Sequence, residues 1–169
     1  HLARTATGFI NVDSGWNYLV SLGSSIRKLN AVRGYKALEK KLSQSPGIWH
    51  QACLAGDLLD RGLLLELETQ TGCGAATNDL SVVLDGKEYD IEVKAFRSAS
   101  PEKKLRKELW DKVRKLPARP ARPVLFYVLL IEEGFMDRHR SEAFGAAVEG
   151  LRIEGLPEQI SGLVVGRVF

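Results

Sequence analysis

The chain has 169 residues, 44% of them apolar and 27% charged, with a net charge of +3. These are the proportions of a single soluble globular domain, large enough to bury a core without covalent staples. They exclude a low-complexity or disulfide-framework protein, and no apolar run approaches the roughly 20 residues that a membrane-crossing helix needs.

From the N-terminus, Asp13 and Ser14 can cap a helix carrying Trp16, Leu19, Val20 and Leu22. Gly23 and Gly34 interrupt the helical pattern beyond it, and a second helix is expected from Tyr35 to Leu42, ending before Ser45-Pro46-Gly47. Residues 1–45 therefore read as a helical segment packed on a core that spans 46–169. The core opens with a helix from Ile48 to Asp60, closed by Gly62 as a left-handed cap. Leu63 to Thr69 alternates at strand period, with Glu66 and Glu68 expected on an outer sheet face ahead of a role as extra metal ligands.

A loop of Gly, Thr and Ala leads to a strand from Asp79 to Leu84. Asp85-Gly86 is a two-residue hairpin signal, and Lys87 to Phe96 is the returning strand. An amphipathic helix follows Pro101, with Leu105, Leu109, Val113 and Leu116 on one face. Pro117 to Pro123 is a proline–arginine linker. Val124 to Ile131 is apolar throughout, as a strand covered on both faces should be. A helix from Ser141 to Gly150 and a strand from Leu163 to Phe169 complete the chain. This order predicts an α/β domain with a mixed β-sheet flanked by helices.

Charge is unevenly spread. Between Glu102 and Arg122 nine Lys and Arg stand against three acids, so that segment alone is strongly basic. A local anionic partner is expected there, with Lys103, Lys104, Arg106, Lys107, Arg114 and Lys115 contacting phosphates. Arg119 and Arg122 either reach a nucleic-acid backbone or only space two elements. Trp16, Trp49 and Trp110 read as core or groove aromatics. His50 reads as a capping or surface residue, His139 as part of a loop, Cys53 as core and Cys73 as a loop residue near the site.

The chemistry centres on Ile91-Glu92-Val93-Lys94. Strand alternation puts Glu92 and Lys94 on one face, with Asp90 beside them, and sends Ile91, Val93 and Ala95 to the other. The hairpin folds the preceding strand alongside. Asp79 lies about as far before the Asp85-Gly86 turn as Glu92 lies after it, so two carboxylates and a lysine converge at one end of the sheet. Oxygen ligands suit a hard cation, and Mg²⁺ commonly takes one or two protein carboxylates while keeping several waters.

At these residues the chain resembles the PD-(D/E)XK nuclease superfamily, whose signature is an Asp at a strand start, a hairpin, and Glu-x-Lys on the next strand. The resemblance covers about Ile48 to Phe169 and implies a restriction-endonuclease-like core. It implies that Asp79 and Glu92 ligate Mg²⁺ or Mn²⁺, that the Val93 carbonyl joins them, and that Lys94 serves the attacking water. Two positions depart from the pattern. Asn78, not proline, precedes Asp79. The helix before the first strand reads His50-Gln51-Ala52-Cys53 where many members carry a Glu, which leaves Gln51 as a weaker, water-mediated partner.

The expected function is metal-dependent hydrolysis of nucleic-acid phosphodiesters, DNA ahead of RNA. Two alternatives stay open: a nuclease toxin domain with an immunity partner, and a non-catalytic nucleic-acid-binding or assembly module. Many nucleases of this kind pair into homodimers. A cytoplasmic setting and no membrane partner are expected, because no secretory signal is visible and only two cysteines occur.

Overall fold

The computed structural model describes residues 7–10, 14–44, 46–96, 101–131 and 138–168. Along the chain these form β1 (Thr7–Ile10), α1 (Ser14–Leu29), α2 (Tyr35–Leu42), α3 (Pro46–Asp60), β2 (Leu64–Gln70), β3 (Thr77–Leu84), β4 (Lys87–Phe96), α4 (Pro101–Val113), β5 (Val124–Ile131), α5 (Arg138–Glu154) and β6 (Ile160–Val168). The five longer strands β2–β6 make one mixed sheet, which the four-residue β1 extends at one edge in the order β1-β6-β5-β4-β3-β2. The β2-β3-β4 half is an antiparallel meander, and β4, β5, β6 and β1 run parallel. Among the described residues no helix is long and apolar enough to cross a membrane.

The expected α/β class with a mixed sheet therefore holds. Asp85 (φ 49°) and Gly86 (φ 74°) both take the left-handed conformation that a type I′ hairpin requires. Several boundaries move. α1 runs on through Gly23, because one glycine costs a helix only about 1 kcal/mol and packing against α3 outweighs it. Strand β1 lies inside the stretch expected to be helical, and its four residues are too few to show a period. α5 begins at Arg138, so His139 lies within a helix rather than a loop. The capping role given to Asp13 lies outside the described residues.

Two apolar clusters hold the layers. One joins α1, α2 and α3 to the sheet through Leu29, Leu38, Ala52, Leu67, Leu80, Val82, Ile91 and Val93. The other joins α4 and α5 to the opposite face through Phe96, Leu105, Leu109, Phe126, Val128 and Phe144. Strand β5 shows the alternation directly: Leu125, Tyr127 and Leu129 belong to the first cluster, Phe126 and Val128 to the second.

The edge strand β2 is covered by the turn between α1 and α2. The Leu67 amide donates to the Arg33 carbonyl at 2.9 Å, and Gly34 sits so close that a Cβ there would lie 1.8 Å from the Leu67 carbonyl oxygen. Only glycine permits that approach, which blunts a strand edge that would otherwise recruit another chain.

Candidate functional site

The site lies where two paired strands part company. β3 and β4 are paired from Leu84↔Lys87 up to Leu80↔Ile91. Beyond that, Glu92 to Phe96 continue against β5 alone, while Thr77 and Asn78 continue against β2 alone. Asp79 and Glu92 are the two residues at the mouth of this fork. The Val93 amide, past the last β3–β4 pair, donates instead to Asp79 Oδ2 at 2.8 Å. A carboxylate thus replaces the missing ladder partner, satisfying a buried N–H and fixing its own position.

Ile91, Val93 and Ala95 pack toward α3, as alternation requires, so Glu92 and Lys94 share the face toward α4. There Lys94 Nζ sits 2.8 Å from Glu92 Oε1 and 3.9 Å from Glu108 Oε2. The second oxygen of Glu92 takes a different cation. Lys112 of α4, with only 3% of its side chain exposed, places Nζ 2.6 Å from Glu92 Oε2 and donates to the Thr77 carbonyl at 2.8 Å. It ties the two arms of the fork together.

Gln51, almost fully buried on α3, donates from Nε2 to Glu68 Oε1 at 3.1 Å and to the Asp79 carbonyl at 3.4 Å. Glu68 is buried beside them, also receives Thr77 Oγ1 at 3.0 Å, and pairs with Lys41 of α2. The expectation that Glu68 lies on an outer face is therefore wrong. Its backbone is left-handed (φ 53°), a conformation strained for a residue with a Cβ, and it stands inside β2, where simple alternation no longer predicts the side. Glu66 is less buried and faces Arg33 at 3.4 Å.

Electrostatics follow from this crowding. Burial, then the charge of Glu92, push the Asp79 carboxyl up to about 7, with Lys94 and the Val93 amide pulling the other way. Burial disfavours the Lys94 ammonium, but Glu92, helped by Asp79 and Glu108, overrides it and leaves Lys94 above the ordinary lysine value. Lys94 is thus a fixed cation at neutral pH.

All four residues expected to be catalytic, Gln51, Asp79, Glu92 and Lys94, line one open cavity of about 780 Å³, together with Val93 and with Lys41, Glu108, Lys112 and Lys115. Asp90 does not join them. It accepts from Asn78 Nδ2 at 2.9 Å, and Arg122 reaches it at 3.5 Å while also pairing with Glu88 at 2.7 Å and Ser81 at 3.3 Å. Arg122 is thereby a strut between the linker and the hairpin.

The six basic residues expected at phosphates are dispersed. Lys115 lines the cavity, and Lys103 and Lys107 are exposed on α4. Lys104 stands 5.2 Å over the Phe96 ring, Arg106 forms a two-pronged pair with Glu154 at 2.8 and 3.0 Å, and Arg114 pairs with Asp111. His50 is buried within α3, not at its surface. Trp49 donates to the Leu42 carbonyl at 2.8 Å and packs inward, whereas Trp110 is 53% exposed and belongs to no core. Among the described residues neither cysteine forms a disulfide; Cys53 is half-buried and Cys73 exposed.

Sequence reasoning missed Lys41, Glu108 and Lys112, and it weighed Glu68 as an extra ligand but preferred the wrong face for it. For Lys112 and Glu108 a signal existed: with Lys115 they recur at i, i+4 and i+7 on the helix after the Glu-x-Lys strand, one stripe away from the leucines.

Among the described residues no three His, Cys, Asp or Glu side chains form a ready metal-holding group. The donor chemistry nevertheless fits a hard divalent ion. Two buried carboxylates line the same cavity, the proton affinity of Asp79 is raised by Glu92, and one or two carboxylates are what Mg²⁺ takes from a protein. In comparisons with known proteins, no family model, no curated protein and no solved structure matches the chain.

Proposed function

We propose that the protein is a metal-dependent phosphodiesterase acting on nucleic acid, with DNA the first substrate to test, and that its core is of the PD-(D/E)XK type. One observation carries this reading: Asp79 and Glu92 meet at the strand fork, with the Lys94 ammonium 2.8 Å from Glu92, in an open cleft. The run α3-β2-β3-β4-α4-β5, a meander followed by a parallel crossover, supports it, because that is the element order of the superfamily resembled.

Asp79 and Glu92 would hold Mg²⁺ or Mn²⁺ with the Val93 carbonyl nearby, and the ion would neutralise phosphate charge and acidify a water. The chain's own residues do the rest. Gln51 fixes the Asp79 backbone, and Lys112 fixes Glu92 through its second oxygen. Lys94, held protonated, stabilises negative charge building on the phosphate rather than removing a proton. Lys41 and Lys115, on the walls of the cavity, draw in the phosphate backbone.

The test is cleavage of plasmid DNA and of labelled DNA and RNA strands by the purified chain with Mg²⁺ or Mn²⁺. Asp79→Ala and Lys94→Ala should each lower the rate at least about 100-fold. Undiminished cleavage by either variant ends the reading. A second reading rests on the two ammonium partners of Glu92: a cleft already neutralised by lysines can bind phosphates as a non-catalytic module. In that case nucleic-acid binding is unchanged by Asp79→Ala and needs no divalent ion.

A further inference from the structure

Helix α4 presents three stripes, and the proposed phosphodiester chemistry uses one of them. Leu105 and Leu109 are fully buried against the sheet. Glu108 and Lys112 look into the cavity, followed by Lys115 just past the helix end. The third stripe faces solvent: Lys103, Lys107 and Trp110, continued by Arg114, at spacings of four, three and four residues, which keep one helix face. It lies roughly a third of a turn around the helix from the cavity stripe.

Trp110 is 53% exposed, although tryptophan is on average among the more buried residues. Its neighbours on the stripe are cations, not the apolar residues of a protein-binding patch. Arg114 is shared with Asp111, and Arg106, one turn before Trp110, is engaged by Glu154, so among the described residues of the stripe the free charges are those of Lys103 and Lys107. Lys103, Lys107 and Trp110 together span about 10 Å along the axis.

We propose that this stripe binds nucleic acid carrying unpaired bases. Trp110 stacks on a nucleobase, and Lys103 and Lys107 hold the flanking phosphates. An aromatic face set in a cationic track is the general device for single strands, since every base has a π-face and every nucleotide a phosphate. The stripe adjoins the cleft through Arg114-Lys115, so a strand leaving the cleft passes over it. The substrate class of the site is then single-stranded, frayed or flapped nucleic acid rather than continuous duplex. This inference rests on the cleft's being a nucleic-acid site.

Binding of the whole chain is measured by fluorescence anisotropy in EDTA, so that cleavage plays no part. Three labelled probes are used: an oligothymidylate, a blunt duplex, and a strand of abasic deoxyribose phosphates. Trp110→Ala should weaken oligothymidylate binding about tenfold, Trp110→Phe should restore most of it, and duplex binding should change less than about twofold. The wild-type chain should hold the abasic strand about as weakly as Trp110→Ala holds oligothymidylate. Replacing Lys103 and Lys107 by Ala should reduce the salt dependence of binding.

Equal affinity of the wild type and Trp110→Ala for oligothymidylate overturns the proposal, as does an equal loss on duplex. So does a self-association that Trp110→Ala dissolves while oligonucleotide affinity stays the same. If the binding pattern appears but Mg²⁺ or Mn²⁺ elicits no cleavage, the nuclease reading alone falls.

Discussion

Asp79 illustrates how a single group links stability and function. Unfolded, its carboxyl ionises near 3.8, and in the fold it is pushed up to about 7. The native state therefore keeps a proton that the unfolded chain has lost between those values. The contribution of Asp79 is fully favourable below the lower value and is lost as pH rises through the upper one, at up to about 1.4 kcal/mol per pH unit. Asp79→Asn, which can still accept from the Val93 amide, should flatten that slope in chemical denaturation between pH 4 and 7. It should be more stable than the wild type at pH 8 while losing cleavage. Lys112 makes the complementary case. Lys112→Met leaves the buried Glu92 without one of its cations and should cost about 3 kcal/mol, whereas the double variant Lys112→Met/Glu92→Gln should recover most of the loss. A denaturant titration of the three proteins checks this, and additive losses would show that the two groups do not act as a pair. The acid–lysine trio was readable at this scale because alternation and turn length are local rules. Glu68 and Lys112 were not, because each breaks the rule used to read it. One has a left-handed backbone inside a strand, and the other is a lysine that is buried because it is fully paired.

At the scale of elements, strand β4 divides the sheet between two ways of pairing, and the fork with β3 exists because β4 follows β5 where β3 follows β2. The hairpin, β4 and β5 were legible from the Asp85-Gly86 dipeptide, from alternation and from an unbroken apolar run. β1 was not, since its pairing with β6 joins the two ends of the described chain and no local pattern encodes such a partner. The turn that seals β2 depends on Gly34, whose φ of 89° and contact with the Leu67 carbonyl both exclude a side chain. Gly34→Ala should lower stability by at least about 2 kcal/mol, roughly 5 °C in melting temperature. Circular dichroism melting reads this directly, and an unchanged melting temperature would mean that the turn does not hold the edge. The basic segment was visible as a charge excess but not as three separate uses. Which basic residue enters a cleft, crosses an aromatic ring or meets a glutamate depends on helix phase and on α5, neither of which composition records.

For the whole molecule, the two helices α1 and α2 are no detachable appendix. Leu22, Leu29, Tyr35 and Leu38 belong to the same buried cluster as Ala52, Leu67 and Val93, and Lys41 reaches the buried Glu68. A chain starting at Pro46 should therefore be insoluble or should bind a hydrophobic dye, as expression trials and fluorescence would show. A well-folded truncated protein would contradict the shared core. The strand fork has a further consequence in time. The turn that brings Asp79 to Glu92 closes over few residues, whereas Lys112 arrives only with a helix and a parallel crossover. Short-range contacts generally form before long-range ones, so the acidic pair assembles while its buried counter-ion is still elsewhere. A hairpin formed ahead of that helix would hold the two acids with Lys94 as the cation beside them. Mild acid, which protonates those carboxylates, should quicken that step in stopped-flow refolding, even though the metal chemistry proposed for the finished protein needs Asp79 and Glu92 ionised.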